Sequence, residues 1–294
     1  MKIILTGAFG FLGKAISNYF AEYELIKLGR SAGDVVADLA MEIPVLPVCE
    51  LVIHAAGKAH VVPETEAEKA VFNQVNVTGT MNLLAGLEKC GLPKYFVFIS
   101  SVSVYGLEEG LLINEDFPLL AQDPYGKSKI AAEELIRAWC KENKVICTIL
   151  RLPLLAGQNP PGNLHSMIKA IKKGYYFNIG NGEAQRSMVM VDDVGNFIEQ
   201  VYLVGGIYNL TDGEHPSFKA LTLAIEKQIN KRSSLSLPYG FVKTFALFGD
   251  LFGGNFPITS KKLSKMTKTL TFSDQRARHQ IGWNPKSVVD NLIV

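Results

Sequence analysis

The stretch KIILTGAFGFLG, at residues 2–13, decides the fold of this chain. Its first five residues, Lys2–Thr6, form an apolar run of strand length, and residues 11–20 continue with helical spacing. Between them, glycine recurs at every third position, as Gly7, Gly10 and Gly13. A strand, a glycine-rich turn and a helix in this order bring free N–H groups and the positive end of a helix dipole to one point, where a phosphate binds. The stretch therefore predicts a dinucleotide-binding βα unit.

Each glycine of this loop has its own expected task. Gly7 permits the tight turn after the strand, Gly10 lets the backbone approach a pyrophosphate, and Gly13 lets the helix pack closely against the strand. The residues between them lie along the same loop. The candidate phosphate-binding residues are therefore Gly7, Phe9, Gly10, Phe11, Leu12 and Gly13.

The rest of the first half repeats the alternation of apolar strand and helix. Strand-like runs occur at 24–28, 51–55, 95–100 and 145–150, and helical patterns at 73–90 and 123–141. Apolar strands separated by helices indicate a parallel sheet that is buried on both faces and joined by right-handed crossovers. We expect an α/β fold with a doubly wound Rossmann sheet. Its dinucleotide-binding domain spans 1–155, and a smaller, mainly substrate-binding part spans 156–294 and returns some segments to the sheet.

The second half of the chain is richer in turn-forming segments. The turn-rich residues 159–163 and the glycine-rich residues 174–182 predict loops. Four aromatic residues with helical spacing fall on one face in the Phe-rich segment 241–252, namely Phe241, Phe245, Phe248 and Phe252. That pattern favours packing into the core. A lid over a substrate pocket and a contact with a membrane surface are the alternatives.

Composition excludes several classes of protein. Of the 294 residues, 48% are hydrophobic and 20% are charged, which is the balance of a folded enzyme and not of a disordered chain. A net charge of +2 is too small to indicate a nucleic-acid partner. No apolar run predicts a membrane span, and the N-terminus has no export cleavage site, so we expect a cytoplasmic protein. The four cysteines show no metal-ligand spacing, so we expect reduced thiols and no metal site.

A tyrosine and a lysine four residues apart point to proton transfer. Tyr125 and Lys129 share one face of a helix that Asp123 and Pro124 are expected to start. A free tyrosine has a pKa of about 10, and we expect the Lys129 ammonium and the positive charge of a cofactor to lower the pKa of Tyr125. Tyr125 then exchanges a proton with a substrate oxygen, while Lys129 also hydrogen-bonds the nicotinamide ribose. The serine-rich residues 100–103, at the carboxyl end of a strand, supply a hydroxyl donor.

The end of the second strand bears on the choice of cofactor. A dinucleotide site usually places an acid there to bind the ribose hydroxyls, but residues 28–31, LGRS, carry no carboxylate. Arg30 and Ser31 can instead hold a 2′-phosphate through charge-assisted hydrogen bonds. This favours NADP over NAD as the cofactor, with a solvated loop arginine as the alternative.

Together these residues resemble the extended short-chain dehydrogenase/reductase family, in particular its nucleotide-sugar epimerases and 4-keto-sugar reductases. The resemblance runs from residue 1 to at least Asp193, and residues 270–285, which end in IGWNP, are similar to the family's closing segment. The glycine loop and the Tyr/Lys pair are common to the whole superfamily. The segments IHAAG, at 53–57, and NVTGT, at 76–80, are more specific.

The resemblance implies roles at matching positions. Ser101 corresponds to the catalytic hydroxyl beside Tyr125 and Lys129, and Arg186 to an arginine that grips a diphosphate, a group that a guanidinium fits well. The stretch at 151–157 resembles one that contacts the cofactor, although Ala156 stands where the family has tyrosine. With Arg30 from the end of the second strand, the candidate cofactor contacts are Asp38, His54, Ala55, Ala56, Gly57, Asn76, Ser100, Tyr125, Lys129 and Leu152. The implied substrate contacts are Ser101, Ser103, Asn163 and Arg186.

Several of these residues have a structural alternative. Arg186 can form a surface ion pair with Asp192 or Asp193, and Asn163 can serve a turn. Ser101 can be a strand-end hydroxyl without a role, and His54 fits buried packing better than catalysis.

The reaction is narrowed but not decided by the residues. Sugar 4,6-dehydratases of the family carry an Asp–Glu pair after the catalytic hydroxyl, where this chain has Val102 and Ser103, so dehydration is excluded. A 4-keto reductase and a 4-epimerase share every catalytic residue, and Arg30 slightly favours the NADPH-consuming reductase. The substrate is expected to be a UDP- or dTDP-linked sugar. A reductase of a non-sugar ketone and a catalytically silent dinucleotide-binding regulator are the alternatives.

The resemblance also implies a homodimer. Members of the family often pair through a four-helix bundle, and the helices predicted at 73–90 and 123–141 are the candidates for it.

Overall fold

A parallel sheet of seven strands forms the centre of the molecule, in the order β3-β2-β1-β4-β5-β7-β11. The computed structural model describes residues 1–59, 63–230, 235–251 and 258–294. Three further pairs of short strands, β8 with β10, β9 with β12 and β6 with β13, lie outside the central sheet. The strands are β1 Lys2–Thr6, β2 Glu24–Gly29, β3 Val35–Val36, β4 Leu51–His54, β5 Tyr95–Ser101, β6 Gly110–Ile113, β7 Ile146–Leu152, β8 Leu154–Ala156, β9 Phe177–Ile179, β10 Met188–Met190, β11 Gly206–Asn209, β12 Leu235–Leu237 and β13 Leu270–Phe272.

Helices cover both faces of the central sheet. The α-helices are α1 Phe11–Tyr19, α2 Glu66–Asn73, α3 Gly79–Cys90, α4 Pro124–Asn143, α5 Gly162–Lys173, α6 Val191–Val201, α7 Phe218–Gln228, α8 Tyr239–Leu251, α9 Ser260–Thr267, α10 Gln275–Ile281 and α11 Val288–Asn291. A π-helical turn, Gln74–Thr78, joins α2 to α3, and a 3₁₀ turn, Val102–Tyr105, follows β5.

Alternation along the strands places side chains in two separate cores. Ile3 and Leu5 of β1 pack with Ile16 of α1 on one face of the sheet. Ile4 packs with Leu83 of α3 on the other face. Both faces of the strand are therefore buried, as the uninterrupted apolar run predicts. The predicted α/β fold with a doubly wound parallel sheet is confirmed.

The strand register aligns the carboxyl ends of the central strands. Thr6 at the end of β1 pairs with His54 of β4, and His54 pairs with Phe98 of β5. Ser101, the last residue of β5, pairs with Leu152, the last residue of β7. The loops that leave these strands therefore meet at one edge, where open α/β sheets bind ligands.

Three predictions of local structure are wrong. The segment at 174–182, predicted as a loop, contains the short strand β9. The helical segment predicted from residue 73 begins at Glu66, because Thr65 and Glu68 form a capping box that starts α2 earlier. The loop predicted at 159–163 ends two residues early, since α5 begins at Gly162 and includes Asn163 in its first turn. The N-cap role predicted for Asp123 is confirmed, because its side chain accepts a hydrogen bond from the Gly126 N–H.

The prediction that the Phe-rich segment packs into the core is wrong for the residues that the structure describes. Val242 and Ala246 of α8 are the buried residues, and they pack with Leu263 of α9. Three phenylalanines on a neighbouring face of α8, which we call the aromatic face, are exposed by more than half: Phe241, Phe245 and Phe248. Phe252 lies outside the described residues. No helix in the described part of the chain is long and apolar enough to cross a membrane.

Candidate active site

The glycine loop between β1 and α1 is held by close backbone contacts. Gly7 has a φ of +71°, which favours glycine, and a Cβ there would lie 2.7 Å from the backbone of Ala55 and Ala56. A Cβ on Gly13 would lie 2.0 Å from the Gly7 carbonyl oxygen. Gly10 is less confined, because its Cβ would meet that same oxygen at 3.4 Å. The loop therefore requires glycine at two positions, and the third leaves room for a neighbouring group.

The N-terminus of α1 has the features of a phosphate site. Gly10 is its N-cap residue and, within the described ranges, no side chain caps this helix. The N–H groups of Phe11 and Leu12 are left for another acceptor, which a pyrophosphate can supply. Phe9 is half exposed and its ring packs over Gly29 at the end of β2, next to the exposed Arg30. The residues present therefore fit a bound dinucleotide.

His54 is fully engaged within the protein. The Thr80 hydroxyl donates its only proton to the Asn76 carbonyl, so it accepts a hydrogen bond from His54 Nε2 at 3.0 Å. His54 Nδ1 then accepts from the Thr6 hydroxyl at 2.7 Å. Burial is the main reason that the pKa of His54 falls to about 3. The imidazole is neutral and joins β1, β4 and α3, so its ring nitrogens are not free to bind a ligand.

Asn76 clamps the loop after β4 to helix α4. Its Oδ1 accepts from the Lys58 N–H at 2.7 Å, and its Nδ2 donates to the Ser128 hydroxyl at 2.8 Å. A Cβ on Gly57 would lie 3.0 Å from Asn76 Oδ1 and 3.4 Å from Lys129 Nζ. The clamp therefore brings the loop that carries Gly57 next to Lys129, and the π-helical turn that holds Asn76 is a feature common at functional sites.

Lys129 lies buried at the carboxyl end of β5. Its Nζ donates to the Ile99 carbonyl at 2.8 Å and lies 4.6 Å from the centroid of the Phe98 ring. Burial lowers the pKa of Lys129 to about 8, and the carboxylate of Glu133, one turn further along α4, opposes that shift. Lys129 is therefore an ammonium at neutral pH, with a proton that is lost more easily than from an ordinary lysine.

Tyr125 and Ser101 meet next to Lys129. Burial raises the pKa of Tyr125 above its usual value, and the nearby Ser101 hydroxyl opposes part of that rise. The expected lowering of the Tyr125 pKa by Lys129 is wrong for the protein alone, because the Lys129 Nζ is directed to the Ile99 carbonyl, and the lowering expected from the cofactor's positive charge stays a prediction. The Ser101 hydroxyl donates to Ser103 Oγ at 3.1 Å. The phenol is thus the protonated partner, poised to give a proton.

A buried ion pair between Glu133 and Arg151 lies next to this site, and the sequence patterns did not predict it. Glu133 accepts two hydrogen bonds from the Arg151 guanidinium, the shorter at 2.7 Å, and both side chains are almost completely buried. Glu133 also accepts from the Ser100 hydroxyl, and Arg151 donates to the Tyr105 hydroxyl at 3.1 Å. The only available signal was that Glu133 follows Lys129 by four residues on α4 and so lies on the same face of that helix.

The other predicted cofactor residues surround the same edge of the sheet. Leu152 is buried at the end of β7, opposite Ser101. Asp38 follows β3 and accepts a hydrogen bond from the Ala40 N–H at 3.0 Å within its own turn. Over the ranges that the structure describes, no group of three or more histidine, cysteine, aspartate or glutamate side chains could hold a metal ion.

Arg186 and Asn163, the predicted substrate contacts of the second half, have different surroundings. Arg186 donates to the carbonyls of Lys265 and Lys268, so it caps the C-terminal end of α9, and its guanidinium lies 5.8 Å from the Phe218 ring centroid. Neither Asp192 nor Asp193 is its hydrogen-bond or ion-pair partner within the described residues, so the ion pair considered from sequence does not form. Asn163 is exposed in the first turn of α5.

Comparison with known proteins gives a consistent family assignment. The model of the NAD dependent epimerase/dehydratase family matches residues 3–210. An undecaprenol-linked N-acetylglucosaminyl-diphosphate 4-epimerase of Escherichia coli O157:H7 is 28% identical over 96% of this chain and 90% of its own length. The UDP-glucose 4-epimerase of Vibrio cholerae is 28% identical over 97% and 90%. The GDP-6-deoxy-D-mannose reductase of Pseudomonas aeruginosa is 29% identical over 75% and 77%.

Solved structures share the fold. A Pseudomonas aeruginosa protein solved with NADPH aligns with a TM-score of 0.73 and 23% identity over 99% of this chain and 96% of its own. The UDP-glucose 4-epimerase of Thermotoga maritima, solved with UDP-glucose, aligns with a TM-score of 0.75 and 21% identity over 99% and 96%.

Proposed function

Because the chain belongs to the NAD dependent epimerase/dehydratase family, as the sequence motifs predicted, we propose that it catalyses hydride transfer at C4 of a nucleotide-linked hexose. The observation that carries the proposal is the proximity of Ser101, Tyr125 and Lys129 at the sheet edge that also holds the glycine loop. A bound nicotinamide dinucleotide supplies or accepts the hydride. Residues 1–155 hold this cofactor, and residues 156–294 mainly hold the sugar.

The three polar side chains divide the proton chemistry among them. Ser101 donates a hydrogen bond to the C4 oxygen and orients the carbonyl. Tyr125, whose pKa is raised by burial, gives its phenolic proton to that oxygen as it gains negative charge. Lys129 holds the ribose hydroxyls of the cofactor through its ammonium group. Arg186 binds the diphosphate of the substrate, and Asn163 makes a second contact with the substrate.

We favour a 4-keto reductase that uses NADPH over an epimerase that recycles bound NAD. Arg30 at the exposed end of β2 supports this choice, because a guanidinium binds the 2′-phosphate that distinguishes NADP. The proposed substrate is a UDP- or dTDP-linked 4-keto sugar. We place the enzyme in the cytoplasm, as a homodimer that pairs through α3 and α4.

A second candidate substrate is a sugar diphosphate carried by a polyprenol. The E. coli relative is named for such a substrate, and the exposed aromatic face of α8 suits an enzyme whose substrate has a lipid carrier. The hydride chemistry at C4 is the same for both carriers.

Cofactor retention is the first test. The protein is purified without added cofactor and denatured, any released dinucleotide is identified by mass, and NADPH and NADH are titrated by fluorescence. An empty site that prefers NADPH supports the reductase, and Arg30→Ala should then reduce that preference. Tightly retained NAD would establish the epimerase instead. Binding of neither dinucleotide would overturn the proposal.

The substrate is tested with the same preparation. UDP- and dTDP-linked 4-keto sugars are supplied with NADPH, and its absorbance is followed. Polyprenyl-diphosphate-linked N-acetylhexosamine and UDP-sugars are supplied without a reductant, and 4-epimers are detected by NMR. Turnover of simple ketones but of no diphosphate-linked sugar would favour the non-sugar alternative.

A further inference from the structure

The aromatic face of α8 is an exposed apolar surface that the catalytic proposal does not use. Phe241, Phe245 and Phe248 are 58%, 51% and 57% exposed, and the rings of the first two lie 5.3 Å apart. These three residues are spaced by four and three positions, so they form one stripe along the helix. Tyr239 and Leu247 of the same helix are also about half exposed. A contiguous aromatic surface of this kind marks an interaction site.

The segment of sequence that contains this stripe is strongly basic. Residues 231–268 contain seven lysines and arginines but a single acid, Asp250, a local charge of +6 in a chain whose net charge is +2, so the remaining residues carry −4. Lys243 lies exposed on α8, and Lys261 and Lys265 lie exposed on one face of α9. The excess positive charge therefore belongs to the segment that contains α8 and α9, where Lys268 at the end of α9 is paired with Glu109.

The two helices form one supported unit. The buried face of α8 packs on Leu263 of α9 and on Ile179 of β9. The Asp250 carboxylate accepts hydrogen bonds from the backbone and the hydroxyl of Ser260 at the start of α9. At the other end of α9, Arg186 holds the last carbonyls. The aromatic face is thus fixed to the substrate side of the site.

We propose that the aromatic face of α8 docks the protein on the surface of an anionic phospholipid bilayer, with these lysines as the basic groups of the same two-helix unit. An amphipathic helix with phenylalanines on one face and lysine on its polar side lies in the plane of a membrane interface, where apolar burial and attraction to anionic lipids add. A second copy of the chain is the poorer occupant. In a two-fold dimer each patch faces itself, which would bring the lysines of both copies together.

Vesicle co-sedimentation of the full chain tests the proposal directly. The wild type should sediment with vesicles of phosphatidylcholine and phosphatidylglycerol and only weakly with vesicles of phosphatidylcholine alone. The triple variant Phe241→Ser, Phe245→Ser, Phe248→Ser should lose at least about tenfold in partitioning. The matched control Val45→Ser, Leu203→Ser, Leu223→Ser removes three apolar side chains that are also at least half exposed, and should bind like the wild type.

Charge-reversal variants measure the electrostatic contribution to vesicle binding separately from the apolar one. Lys243→Glu with Lys261→Glu should reduce binding to the anionic vesicles several-fold and make it less sensitive to added salt. Vesicle binding that changes neither with added salt nor with these two substitutions would contradict the proposed attraction to anionic lipid headgroups.

A fluorescent reporter gives an independent readout. The chain has two tryptophans, Trp139 and Trp283, and both are buried. The emission of Phe245→Trp should therefore shift to the blue when anionic vesicles are added, while the wild-type emission should stay unchanged. Failure of the wild type to sediment together with an unshifted Phe245→Trp emission would overturn the proposal. So would a wild-type dimer that the triple serine variant converts to monomer without any vesicle binding, because the face would then be an interface between copies.

Discussion

The two sides of the candidate site are built in different ways. The sheet side, formed by the glycine loop, Ser101, Tyr125 and Lys129, lies at the carboxyl ends of the paired strands β1, β4, β5 and β7. The substrate side has no such support. Asn163 is exposed in the first turn of α5, and Arg186 pairs with Leu270 only through an isolated bridge. One side is therefore set by a continuous ladder of hydrogen bonds, and the other by a few contacts between short elements.

This difference suggests that the two sides of the site have different roles. Groups that act on the reacting atoms need fixed positions, because small displacements cost large factors in rate. Groups that select the sugar and its carrier can be exchanged on short elements without disturbing the sheet. We therefore expect substitutions on the sheet side to change turnover and cofactor binding, and those on the substrate side to change substrate affinity.

The largest expected effect lies on the sheet side, at the phenol. Tyr125→Phe should lower kcat by about 10²- to 10⁴-fold and leave the NADPH dissociation constant unchanged, because only the transferred proton is lost. The measurement is single-turnover oxidation of NADPH with the substrate found in the screen. Phe72→Leu alters the ring that Tyr125 contacts edge-on and keeps the hydroxyl, so it serves as the control. Full activity of Tyr125→Phe would refute the assigned proton donor.

The sheet side was also the more predictable one from sequence. Each central strand is a continuous apolar run, and the glycine spacing and the Asp123–Pro124 helix start are local patterns, so the confirmed fold follows from neighbours in the chain. The register of a parallel sheet then brings the ends of those strands together without further information. The roles of Ser101, Tyr125 and Lys129 stay predictions until they are measured.

The remaining features depend on contacts between distant segments. Arg186 reaches carbonyls 79 and 82 residues further along the chain, and no local pattern encodes such partners. The periodicity of the phenylalanines indicated a helix but not which face would be covered, because that depends on where α9 packs. The direction of the Tyr125 pKa shift was missed for a similar reason, since burial and the position of Lys129 Nζ are tertiary properties.

On the substrate side, Arg186→Ala should raise KM for a diphosphate-linked sugar by about 10- to 100-fold, the range expected for a lost charge-assisted hydrogen bond. The NADPH dissociation constant should stay unchanged if the two sides are separate. Because Arg186 also caps α9, the melting temperature of the variant is measured in parallel, and Arg186→Lys keeps the charge as a control. An equal loss with a diphosphate sugar and with a simple ketone would show that the arginine is only a support for α9.

Within the glycine loop, two alanine substitutions should have unequal effects. Gly13→Ala places a Cβ against the Gly7 carbonyl oxygen and should lower the free energy of unfolding by about 1–3 kcal/mol and disrupt cofactor binding. Gly10→Ala has room for its methyl group, so the free energy of unfolding should fall by less than about 1 kcal/mol, as expected at an N-cap. The methyl group should still weaken binding of the dinucleotide. Urea unfolding with NADPH titration measures both. Equal loss of stability in the two variants would contradict the loop geometry.

The smallest expected effect is a pH dependence of cofactor binding. Burial lowers the pKa of Lys129 to about 8, so the ammonium that we propose to hydrogen-bond the ribose loses its proton as the pH rises through 8. A charge-assisted hydrogen bond then becomes a neutral one, and NADPH affinity should fall by about tenfold between neutral and alkaline pH. Lys129→Met should bind weakly at every pH and show no such step. An NADPH dissociation constant that is flat from pH 7 to 9.5 in the wild type would mean that Lys129 supports β5 through the Ile99 carbonyl and does not hold the ribose.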